Sequence, residues 1–125
     1  MTKINIAEKL SQFTEHWSPR IVAELNGQHL KLVKFQGEFV WHHHANEDEL
    51  FLVVEGEFTM EYKDAQGEIQ SIVLRKGEFL NVPKGTEHRP VAAQEVSVLL
   101  FEPVGTLNTG TAGSSPLTVA DPVRI

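Results

Sequence analysis

The sequence predicts an all-β fold, a double-sheet sandwich or barrel of short strands preceded by one short helix. Three observations predict it. Between Ile21 and Phe101 there are eight runs of four to six residues rich in β-branched and aromatic side chains. Gly, Asn and Asp turn signals separate these runs, and no helical period interrupts them. The chain has 125 residues, 41% hydrophobic and 22% charged, which suits one domain large enough to bury a core without staples.

The elements follow in order. Ile6, Leu10 and Phe13, with Ala7 beside them, form one apolar stripe at helical spacing, and Asn5 with Glu8 matches a capping box. This predicts a helix over 5–13, ended before Ser18-Pro19, whose task is to cover a sheet or a subunit interface. The predicted strands are 21–25, 30–35, 39–44, 50–54, 58–62, 69–74, 79–82 and 96–101. Their turns are Asn26-Gly27, Gly37, Glu55-Gly56, Asp64–Gly67, Lys76-Gly77 and Lys84-Gly85. In 58–62 the alternation is explicit: Phe58, Met60 and Tyr62 share one face, Thr59 and Glu61 the other. From Pro103 to Ile125 the chain is rich in Gly, Pro, Thr and Ser, a tail that either packs on the domain or moves freely. The expected organisation is a helical segment over 1–18, a barrel over 19–102 and a tail over 103–125.

Charge and composition exclude several functions. Seventeen acidic residues against eleven basic ones leave a net charge of −6 with no basic run, which argues against nucleic acid or an anionic membrane as partner. No segment has the ~20 apolar residues that span a bilayer. The N-terminus has no apolar run resembling a signal peptide, so a cytoplasmic protein is expected. With no cysteine, disulfides, thiolate metal sites and cysteine nucleophiles are excluded. No Ser-His-Asp pattern, phosphate loop or dinucleotide fingerprint is present.

The chemistry is concentrated in two stretches. The first, GEFVWHHHANEDELFLVVEG, runs from Gly37 to Gly56. On a strand, His42 and His44 point to one face and His43 to the other. Glu49, after a short acidic turn, can bring a carboxylate to the same point. Imidazole plus carboxylate suits one divalent ion: Zn, Ni, Mn, Fe or Co. The plainer reading of the histidines alone is a solvated strand end. The second stretch, GEFLNVPKGTEHRP (Gly77 to Pro90), brings a further imidazole, His88, from a separate hairpin.

Together the two stretches resemble the cupin family. His42-x-His44-x4-Glu49-x6-Gly56 is similar to its first motif, and Gly77-x5-Pro83-x-Gly85-x2-His88 to its second. There are two departures. Four residues separate Gly37 from His42, where the family more often has five. Ala92 stands where the second motif usually ends in Asn. The tail EPVGTLNTG (Glu102–Gly110) resembles small stand-alone cupins labelled mannose-6-phosphate isomerase-like, a kinship of fold rather than of reaction.

The resemblance implies a jelly-roll-like barrel of two facing sheets, with one metal held by His42, His44, Glu49 and His88. About two coordination positions would be left for water or substrate. It implies a metal-dependent enzyme, of dioxygenase or isomerase type, acting on a small anionic or oxygen-rich molecule. The alternative is a non-catalytic module in which the ion anchors a sugar or carboxylic acid. A homodimer is expected, with Ile6, Leu10 and Phe13 as the patch to bury. Other residues weigh less. His43 reads as a bystander, with Trp41 and Phe39 on its face and Val40 on that of His42. Phe51 and Val53, sharing the face of Glu49, are barrel interior or pocket wall. Glu47, Asp48 and Glu87 read as solvated loop charge, and Arg89 should face away from His88. His16 and His29 read as surface or satisfied residues. Lys34 and Lys84 are the nearest basic candidates for a phosphate site, and neither is a convincing one.

Overall fold

A computed structural model describes all 125 residues. One helix, α1 (Ile6–Leu10), precedes eight strands: β1 (Arg20–Leu25), β2 (Gln28–Glu38), β3 (Glu49–Glu55), β4 (Glu57–Lys63), β5 (Ile69–Arg75), β6 (Phe79–Val82), β7 (His88–Pro103) and β8 (Val123–Arg124). The helix is shorter than predicted. Asn5 caps it, accepting from the Glu8 amide at 3.0 Å, and the chain turns away after Ser11. Phe13, read as the end of the helical stripe, is buried instead beneath the cations of Arg20 and Lys34. Lys34 donates to the carbonyls of Leu10 and Phe13 at 2.9 and 2.6 Å, fastening the segment to β2.

β7 organises the sheet. β2 pairs antiparallel with both halves of β7, while on the other side β3 pairs with its C-terminal half and β4 with its N-terminal half. β6 extends the sheet beyond β3, β5 beyond β4, and β1 and β8 beyond β2. At the change-over the β2–β7 register slips, and Ala93, Gln94 and Glu95 bulge into solvent. Such a bulge bends a strand and turns the sheet back over itself. Gly56 makes the matching corner between β3 and β4. Its φ is +89°, and a Cβ there would come within 3.1 Å of the Glu95 carbonyl oxygen, so both conformation and space call for glycine.

The core lies between the two arms of the folded sheet. Phe58 and Met60 of β4 and Leu74 of β5 meet Phe35 of β2, Phe51 and Val53 of β3, and Val96, Val98 and Leu100 of β7. Phe58 reaches Phe35 edge-on at 5.6 Å and Phe51 at 6.1 Å between ring centroids. The sheet does not close, because β5 and β6 are not paired to each other. The all-β double-sheet architecture and the short N-terminal helix thus agree with the expectation.

Two predicted elements differ. Residues 39–44 form no strand beyond a single bridge, His42 with His88. Phe39 does not share the outward face of His43. It is buried, stacked on Trp17 at 4.7 Å and edge-on to His42 at 5.3 Å. Without a regular ladder the backbone is not held to strict alternation. The strand predicted over 96–101 is the second half of β7, whose first half carries His88 and the bulge. Ala92, the departure from the second motif, is 1% exposed and sits in the core, where Asn would need buried hydrogen-bond partners.

Candidate metal centre

Three segments bring four side chains to one point. His42 and His44 lie on the extended stretch after β2. Its backbone is held by His42 and His88 exchanging both amide hydrogen bonds, at 3.1 and 2.8 Å, and by the Gly85 amide donating to the His44 carbonyl at 2.8 Å. The Pro83–Thr86 turn thereby fixes both histidine segments against each other. Glu49 opens β3, opposite Val82 of β6. His88 opens β7, opposite Tyr62 of β4.

All four side chains are buried, and their ligand atoms lie within 4.8 Å of one another. Nδ1 of His42 sits 2.9 Å from the Val40 carbonyl oxygen, and Nδ1 of His88 sits 2.8 Å from that of Thr86. A carbonyl only accepts, so both rings carry their proton on Nδ1 and present a bare Nε2. Glu49 Oε1 is 3.3 Å from His44 Nε2 and 3.5 Å from His88 Nε2. Those three atoms are buried and have no hydrogen-bond partner. Orphaned buried polar atoms are costly, and native proteins rarely keep them. Three aimed at one point fit a cation, since metal bonds of about 2.0–2.2 Å would set such atoms about 3–4.4 Å apart.

The electrostatics agree. Burial, followed by repulsion from His88, lowers the His42 pKa to about 4, keeping the ring neutral, as ligation requires. Burial pushes the Glu49 carboxyl up, but interaction with Glu102, His44 and His88 outweighs it and holds Glu49 well below the usual carboxylate range. Glu102 goes the other way. Its burial and the neighbouring Glu49 charge raise it well above that range, against the pull of Lys31. Two adjacent buried carboxyls cannot both ionise, and Glu49 is the one that does.

Beside the cluster is a cavity of about 30 Å³ with His42 and Glu49 in its wall. Trp17, Phe35, Phe39, Phe51, Leu100 and Asn108 are among the other residues that line it. Phe51 is therefore a pocket wall, and Val53 is core only. The sequence reading missed Trp17, which stacks on Phe35 at 4.5 Å and donates its indole N–H to the Gln36 carbonyl at 3.0 Å. It also missed Asn108, which comes from the tail. The tail packs on the histidine loop: Thr111 accepts from the His43 amide at 3.1 Å and donates its own to the His43 carbonyl at 3.0 Å. His43 is thus an anchor for the tail and stands outside the cluster.

Other expectations hold at the level of side chains. Arg89 turns outward to Glu61 and Glu38. Asp48 caps the Lys84 amide, and Glu87 pairs with Lys63. His16 pairs with Glu95, and His29, though buried, is satisfied by Glu24. Neither Lys34 nor Lys84 faces the cavity. The inward lysine is Lys31, which shares the parity of Val33 and Phe35 on β2, and that parity was its signal in the sequence.

Comparison with known proteins decides the family. The cupin domain model, Cupin_2, matches residues 30–102, more than half of the chain. The chain belongs to the cupin family. A cupin-2 domain protein from Shewanella frigidimarina is 47% identical, covering 80% of this chain and 93% of its own, with a TM-score of 0.75. A Neisseria meningitidis protein is 33% identical over 82% of this chain and 99% of its own, with a TM-score of 0.72. An uncharacterised Bacillus subtilis protein, YdbB, is 43% identical over 68 residues, which is 54% of this chain and 57% of that relative. The cupin fold is also shared, at 18% identity, with a hydroquinone 1,2-dioxygenase from Sphingomonas covering 80% of this chain and 32% of its own (TM-score 0.71).

Proposed function

We propose that this cupin is a metal-dependent enzyme of the dioxygenase or isomerase type, acting on a small oxygen-rich or anionic molecule. The observation that carries the reading is the buried His42, His44, Glu49 and His88 cluster with its three orphaned ligand atoms. One divalent ion, drawn from Zn, Ni, Mn, Fe or Co, suits three imidazoles and a carboxylate. When bound, it supplies a Lewis acid or, as iron, a redox centre for a substrate oxygen.

The chain's own residues supply the rest. The backbone carbonyls of Val40 and Thr86 hold the His42 and His88 rings in the tautomer that leaves Nε2 free. Trp17, Phe39 and Phe51 exclude water from the cavity wall, and Asn108 offers a neutral polar contact there. Apart from the proposed ligands, no acid or base lines the cavity. Sugar isomerisation calls for a positioned general acid or base, so the cavity favours dioxygenase chemistry. The alternative, a non-catalytic binding module for a sugar or carboxylic acid, is favoured by the same lack of an acid or base in the cavity wall.

The test is oxygen uptake by iron-loaded protein, screened over small aromatic diols and carboxylic acids, with His88→Ala as control. Uptake by the wild type and none by the variant is the expected result. Saturable binding of a screened compound without uptake would establish the binding module instead. Protein that takes up no metal would overturn both.

A further inference from the structure

Lys31 Nζ donates to Glu102 Oε1 at 2.7 Å between the arms of the folded sheet, with Lys31 3% and Glu102 1% exposed. Neither belongs to the cluster described above. The strand register explains where they sit. Leu50 pairs with Phe101, so one step along the ladder Glu49 stands opposite Glu102. On the other side of β7, Glu102 pairs with His29, and Lys31 pairs with Leu100, placing Lys31 diagonally across from Glu102 on the inner face. Glu102 Oε1 takes the lysine, while Oε2 is buried with no hydrogen-bond partner of good geometry. Its neighbour is the Glu49 carboxyl, whose Oε1 is aimed at His44 and His88.

We propose that Glu102, itself held by Lys31, is the positioning residue for Glu49, fixing the carboxylate so that Oε1 faces the metal. The inference rests on the metal reading of the four-residue cluster. A buried lysine held by a neutral carboxyl is a poor stabiliser, because its desolvation is not offset by an opposite charge, and an apolar pair of similar size usually serves the fold as well. Its placement one residue across the ladder from a ligand gives it a different use. Residues behind a metal ligand orient it and tune its affinity.

The experiment is Co²⁺ binding by chelator competition and by the visible spectrum of the bound ion. It compares wild type, the double variant Lys31→Met/Glu102→Leu, Glu102→Met and Glu102→Gln. The double variant and Glu102→Met are expected to lose about 10–100-fold in affinity and to change the spectrum, while Glu102→Gln stays within about threefold because its amide can donate to Glu49 and accept from Lys31. Metal-free double variant should melt close to wild type. If the double variant does not fold, Glu102→Met carries the test. Wild-type affinity and spectrum in the variant so tested would overturn the positioning role, as would an equal loss in Glu102→Gln. Wild-type protein that binds no Co²⁺ would instead overturn the metal reading, and this inference with it.

Discussion

His42 is neutral because it is buried, and this makes metal-free stability depend on pH. An ordinary histidine titrates near 6.5, while His42 in the folded chain titrates near 4. Between those values the unfolded chain binds a proton that the folded one refuses. Metal-free stability should therefore be complete above pH 6.5 and fall as the pH drops from 6.5 to 4, by about 3 kcal/mol for this group. Urea unfolding of wild type and His42→Gln across that range checks it; the variant should lack this part of the slope. Gly110 makes a second residue-scale prediction. Its φ is +47°, and a Cβ there would overlap the His43 carbonyl oxygen and press on His44 Nδ1 at 3.1 Å. Gly110→Ala should lower unfolding free energy by about 1–3 kcal/mol, seen in denaturant titration, and weaken metal binding through His44.

Among the elements, the segment before β1 covers the cavity. Trp17 adopts φ 59°, a conformation that a bulky residue takes only when its surroundings hold it. The stack on Phe35 and Phe39 and the Gln36 carbonyl do so. Trp17→Ala should cost about 3 kcal/mol in equilibrium unfolding and quicken entry of small aromatic ligands, read by stopped-flow fluorescence of the bound ligand. Much of this architecture is legible in the sequence, because period-two runs such as Phe58–Tyr62 bury alternate residues and turn glycines mark their ends. The four proposed ligands are legible because His42, His44, Glu49 and His88 fall at fixed spacings around two turns. What is not legible depends on distance in sequence. Trp17 and Asn108 reach the cavity from irregular segments with no period. Lys31 reads as one more exposed charge until its parity with Val33 and Phe35 is followed, and Glu102 lies one residue past the predicted strand. Phe39 lies on the face opposite to the one strand alternation predicts, because no ladder holds residues 39–41.

At the scale of the molecule, β5 and β6 are open edges that carry exposed Ile69, Ile72, Val73 and Phe79. Unpaired apolar edges are hazards in a lone monomer. The homodimer proposed from the sequence would bury these residues in preference to the N-terminal stripe, whose Phe13 is already covered. Sedimentation equilibrium should return twice the 14.0 kDa chain mass, and Ile72→Lys should lower it. A concentration-independent monomer would remove the proposal. No helix is long and apolar enough to cross a membrane. The account stands or falls on whether the folded barrel holds an ion at the meeting point of β3, β7 and the histidine loop. The direct measurement is metal content after reconstitution with a single divalent ion and removal of excess, for wild type and for His88→Ala. One tightly held ion per wild-type chain and almost none in a folded His88→Ala chain is the predicted result. No retained ion in the wild type, or equal retention in the variant, would contradict it.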